Sequence, residues 1–307
     1  MSFNHIIESQ QFTVPKLKEL FERTEQMKKI VARGGTRDYS DKIMATLFYR
    51  PSTRTRFSFE SAMYRLGGKV LSTEQAEMFS SEVSGEMLED TIQIISNYCD
   101  AIVLRHSEEG GAKRAAAVSE VPVINAGDGS GGQHPTQALL DLYTIYHECK
   151  TLDGISVAFI GALDHGRTVR SLAYLLSKYD RVKLYFIAPE EMQIRQDILE
   201  HLDENNIWYH LAPNTRDIIN RVDVVYQTRI DRERLADKDM DLSIYNIDPQ
   251  KMQKMKYNSI IMHPLPRSVE ISHAVDADPR AAYFRQAHNG LYVRMALLTM
   301  LFEDEME

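Results

Sequence analysis

The run Ile43-Met44-Ala45-Thr46-Leu47-Phe48 is largely apolar and reads as a buried strand. Pro51 stops it, and Ser52 and Thr53 cap a helix on which Phe59, Met63 and Leu66 fall at i, i+4 and i+7. Gly67-Gly68 ends that helix. A strand that feeds a helix directly is the repeating step of a parallel sheet covered by helices. Within the step, Ser52 to Thr55 occupy the strand-to-helix turn, where backbone N–H groups and the positive end of the helix dipole favour an anion. Arg50, Arg54 and Arg56 crowd the same turn, and arginine suits bidentate capture of phosphate. The turn reads as a phosphate site, set against the plainer alternative of a capped, solvated helix start. It holds no glycine, so it is neither a Walker loop nor a Rossmann loop.

The same step recurs along the chain. A helix over 15–33 precedes the 43–48 strand, and short strands are expected at 69–72, 101–104 and 121–124, with a loop over 73–84 and helices from 86 and over 112–118. The glycine-rich loop Gly127 to Gly132 feeds a helix over 136–149. Strands at 155–160, 182–187, 207–211, 223–227 and 259–262 alternate with helices at 167–178 and 190–204, and a last helix spans 290–302. The alternation predicts two doubly wound parallel-sheet α/β domains, with the active site in the cleft at the carboxyl ends of strands from both.

The 307 residues suit two domains of ordinary size, and 43% apolar with 26% charged residues is a globular composition. A net charge of −8 argues against nucleic acid or an anionic membrane surface as partner. No apolar run approaches membrane-spanning length, and Met1 to His5 show no targeting pattern, so a cytoplasmic protein is expected. Cys99 and Cys149 offer neither a disulfide framework nor metal spacing.

Four motifs in order, Ser52-Thr53-Arg54-Thr55-Arg56, His134-Pro135-Thr136-Gln137, Gly166-Arg167-Thr168-Val169 and His263-Pro264-Leu265-Pro266-Arg267, resemble those of the aspartate/ornithine carbamoyltransferase family, the aspartate branch in particular. The resemblance covers nearly the whole chain. It implies transfer of the carbamoyl group of carbamoyl phosphate to an amino acid, most simply L-aspartate in pyrimidine biosynthesis, with no metal or organic cofactor. It also implies a carbamoyl-phosphate domain formed by 1–134 plus 288–307, an amino-acid domain over 135–287, and a homotrimer with sites at subunit boundaries. A regulatory or homologous partner chain is compatible with it. By the same resemblance Ser52, Thr53, Arg54 and Thr55 hold the phosphate. Thr55, Arg105 and His134 point at the carbonyl oxygen, and Gln137 holds the carbamoyl amide. Arg167 and Arg229 bind the acceptor carboxylates, and Leu265 and Pro266 turn backbone carbonyls toward the amino groups.

The residues support these roles unevenly. Arg105 ends a strand at the edge where α/β sheets bind ligands, although a surface ion pair is the plain alternative. His134 alone is equally an ordinary helix-start residue, but Gln137 lies one turn on, on the same face. Arg167 and Arg229 suit a dicarboxylate, or else pair with Asp164 or Asp231. Leu265-Pro266 fits either its backbone role or simply a rigid turn.

The chain also departs from the family pattern. The lysine expected before the Gly-Glu pair of the loop is Ser84, and no lysine occurs from Ser72 to Glu86, although Ser80 and Ser81 remain available for phosphate. Ala162 stands where the family carries Asp, and Asp231 where it carries Gln. Three readings stay open on sequence: an aspartate enzyme, a relative that uses another amine such as a diamino acid drawn by Asp231 or Asp164, and a non-catalytic relative that binds carbamoyl phosphate or an active homologue.

Overall fold

The structure is a computed structural model that describes residues 4–74, 85–129 and 131–304. It divides into two compact units, Met1–Leu139 with Asn289–Glu307, and Leu140–His288.

The first unit is built on a four-stranded parallel sheet of β1 (Ile43–Phe48), β2 (Lys69–Glu74), β3 (Ala101–Arg105) and β4 (Val123–Asn125), in the order β2-β1-β3-β4. β1 is buried from Met44 onward and β3 through Leu104, as expected of strands covered on both faces. Ile6 extends the sheet beyond β4: its N–H donates to the Val123 carbonyl and its carbonyl accepts from the Asn125 N–H, both at 2.8 Å. The unit also carries α1 (Val14–Ala32), α2 (Thr53–Arg65), α3 (Leu88–Ser96) and α4 (Gly111–Val118). Leu17, Leu20, Phe21 and Met27 form the buried face of α1, and Thr13 caps it by accepting from the Lys16 N–H. From β1 the chain passes outward to β2, then crosses to β3 on the other side of β1. The carboxyl ends of β1 and β3 therefore flank a switch point, where α/β sheets hold ligands.

The division between units falls within α5 (Pro135–Cys149) and, near the end of the chain, within the last helix. The second unit carries β5 (Ser156–Ile160), β6 (Lys183–Ile187), β7 (Trp208–Ala212), β8 (Val224–Gln227) and β9 (Ile260–Met262), all parallel, in the order β7-β6-β5-β8-β9. Phe159, Phe186 and Tyr226 meet at its centre, with Phe159 5.5 Å from each of the other two rings. Each such side chain fully buried contributes roughly 1.5–3 kcal/mol. The switch point here lies between β5 and β8, followed respectively by the turns 161–166 and 228–231. The unit's helices are α6 (Arg167–Leu176), α7 (Gln196–Glu204) and α8 (Pro249–Lys254), and α9 (Tyr283–Asp304) closes the chain.

Several elements differ from the sequence expectation, and β2 runs on to Glu74, into the stretch expected as loop from 73. The helix expected over 190–204 is a single turn at Glu190–Met192 followed by α7. Gln193 holds the break: its amide donates to the Phe186 carbonyl and accepts from the Ile194 N–H. α9 begins at Tyr283 rather than near Gly290, because Tyr283 is fully buried and the Gln286 N–H already bonds the Ala282 carbonyl. α8 was not expected; Asp248 caps it by accepting from the Lys251 N–H at 2.8 Å, with Pro249 in the first turn.

Candidate active site

In the first unit, Phe48 and Arg105 are register partners at the ends of β1 and β3, and the Tyr49 N–H donates to the Arg105 carbonyl at 2.9 Å. Arg105 Nη1 donates to the Ala126 carbonyl at 3.2 Å, which ties its guanidinium to the connection after β4. That connection runs on to His134, whose carbonyl accepts from the Gln137 and Ala138 N–H groups and so opens α5. The turn before α2, the end of β3 and the entry to α5 thus belong to one sheet edge.

Ser52 is the residue before α2, but its hydroxyl makes no capping hydrogen bond; its backbone N–H donates instead to Glu74 Oε1 at 3.2 Å. The first-turn N–H groups are therefore not claimed by the cap side chain, as an anion site requires. Thr53 and Arg54 are exposed and Thr55 is buried. Lost hydration draws the Arg54 pKa below the ordinary arginine value, and the group stays cationic near neutral pH. The first turn is braced from α9: Arg294 donates to the Ser58 hydroxyl at 2.6 Å, and Ser58 donates to the Thr55 carbonyl at 2.9 Å. Arg56 belongs to the scaffold: it pairs with Glu74 at 2.9 Å and donates to the Ser72 hydroxyl at 3.2 Å. The His134 ring is buried, with Nδ1 3.5 Å from the Thr136 hydroxyl, and Gln137 is half-buried. Ser80 and Ser84 lie outside the described residues.

In the second unit, Gly161 and Thr228 pin the two switch-point turns together. Gly161 has φ +127°, and a β-carbon there would lie 2.3 Å from the Thr228 hydroxyl. The Ala162 N–H donates to the Arg229 carbonyl at 3.0 Å. Arg229 is exposed at the end of this turn, and Arg167 is half-buried at the start of α6, which has Gly166 as its uncapped entry.

Both acids that sequence offered as magnets for a second ammonium group are engaged by the protein. Asp231 accepts from the Glu233 N–H at 3.2 Å and caps a short turn. Asp164 contacts the guanidinium of Arg234 and the ring of His165. Burial pushes the Asp164 carboxyl up, but these two hydrogen bonds outweigh it and hold its pKa below the ordinary range.

Leu265 has φ +55°, and its peptide bond to Pro266 is cis. Its N–H donates to His263 Nδ1 at 2.7 Å, and His263 Nε2 lies 2.9 Å from Glu270 Oε1. Because a backbone N–H can only donate, Nδ1 is the acceptor and the ring proton sits on Nε2, directed at Glu270. Burial raises the Glu270 carboxyl, but the bonds from His263 and the Ser268 N–H bring its pKa below the usual range. Leu265 and Pro266 are thus mounted on a buried His–Glu pair that sequence reasoning left without a role, although His263 stands in the motif.

The carbamoyl-P binding domain of the aspartate/ornithine carbamoyltransferases matches residues 4–147, and the Asp/Orn binding domain of the same family matches residues 153–301. A chloroplastic aspartate carbamoyltransferase of Oryza sativa is 50% identical, over 96% of this chain and 84% of that protein. The aspartate carbamoyltransferase catalytic subunit of Methanocaldococcus jannaschii is 45% identical over 98% of both. Its solved catalytic subunit superposes with a TM-score of 0.92, at 44% identity over 99% of each chain. The Trypanosoma cruzi enzyme in complex with carbamoyl phosphate and aspartate gives 0.92 at 37% identity, over 98% of this chain and 96% of that one. The expected cytoplasmic placement does not stand. The rice, Arabidopsis and pea relatives are chloroplastic by name, so the lack of a targeting pattern at Met1 to His5 decides nothing about compartment.

Proposed function

The chain belongs to the aspartate/ornithine carbamoyltransferase family, and from that premise we infer that it transfers the carbamoyl group of carbamoyl phosphate to the amino group of L-aspartate. The products are N-carbamoyl-L-aspartate and phosphate, a step of pyrimidine synthesis. One observation carries the acceptor assignment from the side of the chemistry. Asp164 pairs with Arg234 and His165, and Asp231 caps a turn through the Glu233 N–H, so both acids that sequence offered for a second ammonium group already have partners in the protein. Arg167 and Arg229 then give the acceptor subsite a cationic character that suits a dicarboxylate.

In the proposed reaction the N-terminal turn of α2, with Ser52, Thr53, Arg54 and Thr55, holds the phosphate. Thr55, Arg105 and His134 face the carbonyl oxygen, and Gln137 holds the carbamoyl amide. The aspartate amine attacks the carbonyl carbon and a tetrahedral oxyanion forms against the donors at Arg105, His134 and Thr55. The carbon–oxygen bond to phosphate breaks as the oxyanion collapses, with Arg54 stabilising the leaving group, and phosphate departs with the amine proton. The backbone carbonyls of Leu265 and Pro266 accept from the amine and hold it in line. No covalent enzyme intermediate is needed when both substrates are fixed together. On this reading 1–134 with 288–307 serve carbamoyl phosphate and 135–287 serve aspartate. The same reading makes the enzyme a homotrimer with sites at subunit boundaries and counts Ser80 and Ser84 among the substrate-binding residues.

The test is product formation from carbamoyl phosphate with aspartate, ornithine and 2,3-diaminopropionate offered separately. Carbamoyl-aspartate as the dominant product is expected. Turnover with a diamino acid alone would overturn the acceptor assignment.

A further inference from the structure

We propose that Asp141 is the positioning residue of the acceptor half-site, setting through Tyr226 and Gln286 the placement of the Arg167 helix start relative to the Leu265 turn. The inference rests on the carbamoyl transfer described above and names what holds its acceptor side.

Asp141 lies on α5 with no exposed surface. Its Oδ2 accepts from the Tyr226 hydroxyl at 2.7 Å and its Oδ1 from the Gln286 amide at 2.6 Å. Two arms leave this carboxylate. Along the first, Tyr226 belongs to β8, three residues before Arg229, and its phenol oxygen also hydrogen-bonds the side chain of Thr168, the neighbour of Arg167. Along the second, the Gln286 carbonyl oxygen accepts from the His263 N–H at 2.8 Å, and the His263 ring accepts from the Leu265 N–H at 2.7 Å. On the second arm every donor direction is fixed by chemistry, since a backbone N–H and an amide NH₂ can only donate. Hydrogen bonds there run one way, from Leu265 through His263 and Gln286 to Asp141.

Such a chain places a demand on Asp141 that an apolar residue cannot meet. A well-packed hydrophobic side chain in the same space would stabilise the fold at least as well, because burying a carboxylate costs desolvation. What the carboxylate supplies is two acceptors at a fixed separation and angle, one for each arm. Tyr226 and Gln286 are both buried, so an arm that loses its acceptor has no water to turn to. The parts at the far ends are the α6 start with Arg167 and the turn that aims the Leu265 carbonyl. Displacement of either misaligns aspartate without touching the α2 phosphate turn.

The experiment compares Asp141→Asn, Asp141→Leu, Tyr226→Phe and Gln286→Met in the assembled enzyme. It reads KM for aspartate, KM for carbamoyl phosphate, kcat and melting temperature. Asp141→Leu is expected to raise the aspartate KM about tenfold or more while the carbamoyl-phosphate KM stays within about twofold. Asp141→Asn, which keeps one acceptor, should fall between it and the wild type. Tyr226→Phe and Gln286→Met should move the same constant in the same direction, and they carry the test if Asp141→Leu does not fold. Folded Tyr226→Phe and Gln286→Met enzymes with a wild-type aspartate KM, or variants in which both KM values shift alike, would overturn the proposal. Wild-type turnover of aspartate is the separate control on the functional reading. If it is absent, calorimetric binding of succinate, a dicarboxylate without an amine, still reads the positioning role. A succinate Kd unchanged across the variants would then overturn it.

Discussion

Phe48 and Arg105 stand side by side at the carboxyl ends of two parallel strands, so the residue that closes β1 fixes the height at which the Arg105 side chain leaves the sheet. The Arg105 guanidinium then reaches the Ala126 carbonyl, which holds it in a chosen direction beside the connection to His134. A lysine in its place keeps the charge but loses the fork. Arg105→Lys is therefore expected to lower kcat by on the order of a hundredfold or more with an unchanged circular-dichroism spectrum. Retention of kcat within about threefold would remove Arg105 from the carbonyl oxygen.

The stretch from Ser72 to Glu86 brings no lysine, and Ser84 takes the position where the family pattern has one. A cation that contacts the transition state commonly contributes a few kcal/mol, and about 1.4 kcal/mol is a factor of ten in rate. Ser84→Lys is expected to raise kcat/KM for aspartate by about tenfold or more, measured by carbamoyl-aspartate formation at low aspartate. No gain at any aspartate concentration would mean that the site has compensated elsewhere.

Much of the architecture is legible in the sequence because β1, β3, β5 and β8 are short, largely apolar runs. β1 lies where the run 43–48 predicts it, and Gly67-Gly68 closes α2. The failures share a cause. The break at Gln193 depends on its side-chain bond to Phe186 at the end of the preceding strand, and the early start of α9 on the burial of Tyr283, neither of which periodicity encodes. The same holds for the acceptor side. Asp231 and Asp164 look alike in sequence, as acids beside an arginine, and only their partners show that one caps a turn and the other neutralises Arg234. Asp141 carries no motif, since its role comes from residues about 85 and 145 positions away.

Replacement of Asp231 by Ala should therefore leave acceptor choice untouched. Its carboxylate holds a turn, so Asp231→Ala is expected to cost about 0.5–1 kcal/mol of stability. The ratio of aspartate to 2,3-diaminopropionate turnover should not change. A rise in aspartate preference on removing this acid would show that it faces the acceptor after all.

The dependence of stability on pH has a definite sign at each end. Hydrogen bonds from Arg267, with a lesser contribution from Tyr283, hold the Asp276 carboxyl well below its ordinary range. Its stabilisation is present above the unfolded value of about 4 and is lost as pH falls through the folded pKa. His5 and His201, pushed down by burial, bind protons more readily unfolded, so they also withdraw stability as pH falls below about 6.5. Burial, then the bond to Asp276, pushes Tyr283 up to about 12, so stability falls as pH rises from about 10 toward that value. Melting temperature should be flat between about pH 7 and 9 and fall on both sides. Asp276→Asn should shallow the acid limb and Tyr283→Phe the alkaline limb. Limbs unchanged in these variants would assign the titration to other groups.

The closeness of Gly161 to Thr228 makes a sharper demand than any single side chain on the acceptor side. A β-carbon at 161 meets the Thr228 hydroxyl at 2.3 Å and the Thr228 carbonyl oxygen at 2.5 Å, on a backbone with φ +127°. Gly161→Ala is expected to cost about 1–3 kcal/mol and to push apart the two turns that the Ala162–Arg229 hydrogen bond joins. The aspartate KM should rise while the carbamoyl-phosphate KM holds, because the phosphate turn belongs to the other unit. Adding Thr228→Ala removes the hydroxyl but neither the carbonyl oxygen nor the left-handed φ, so the double variant should recover little of the lost stability. Full rescue by Thr228→Ala would show that the hydroxyl alone, and not the backbone approach, requires glycine at this place.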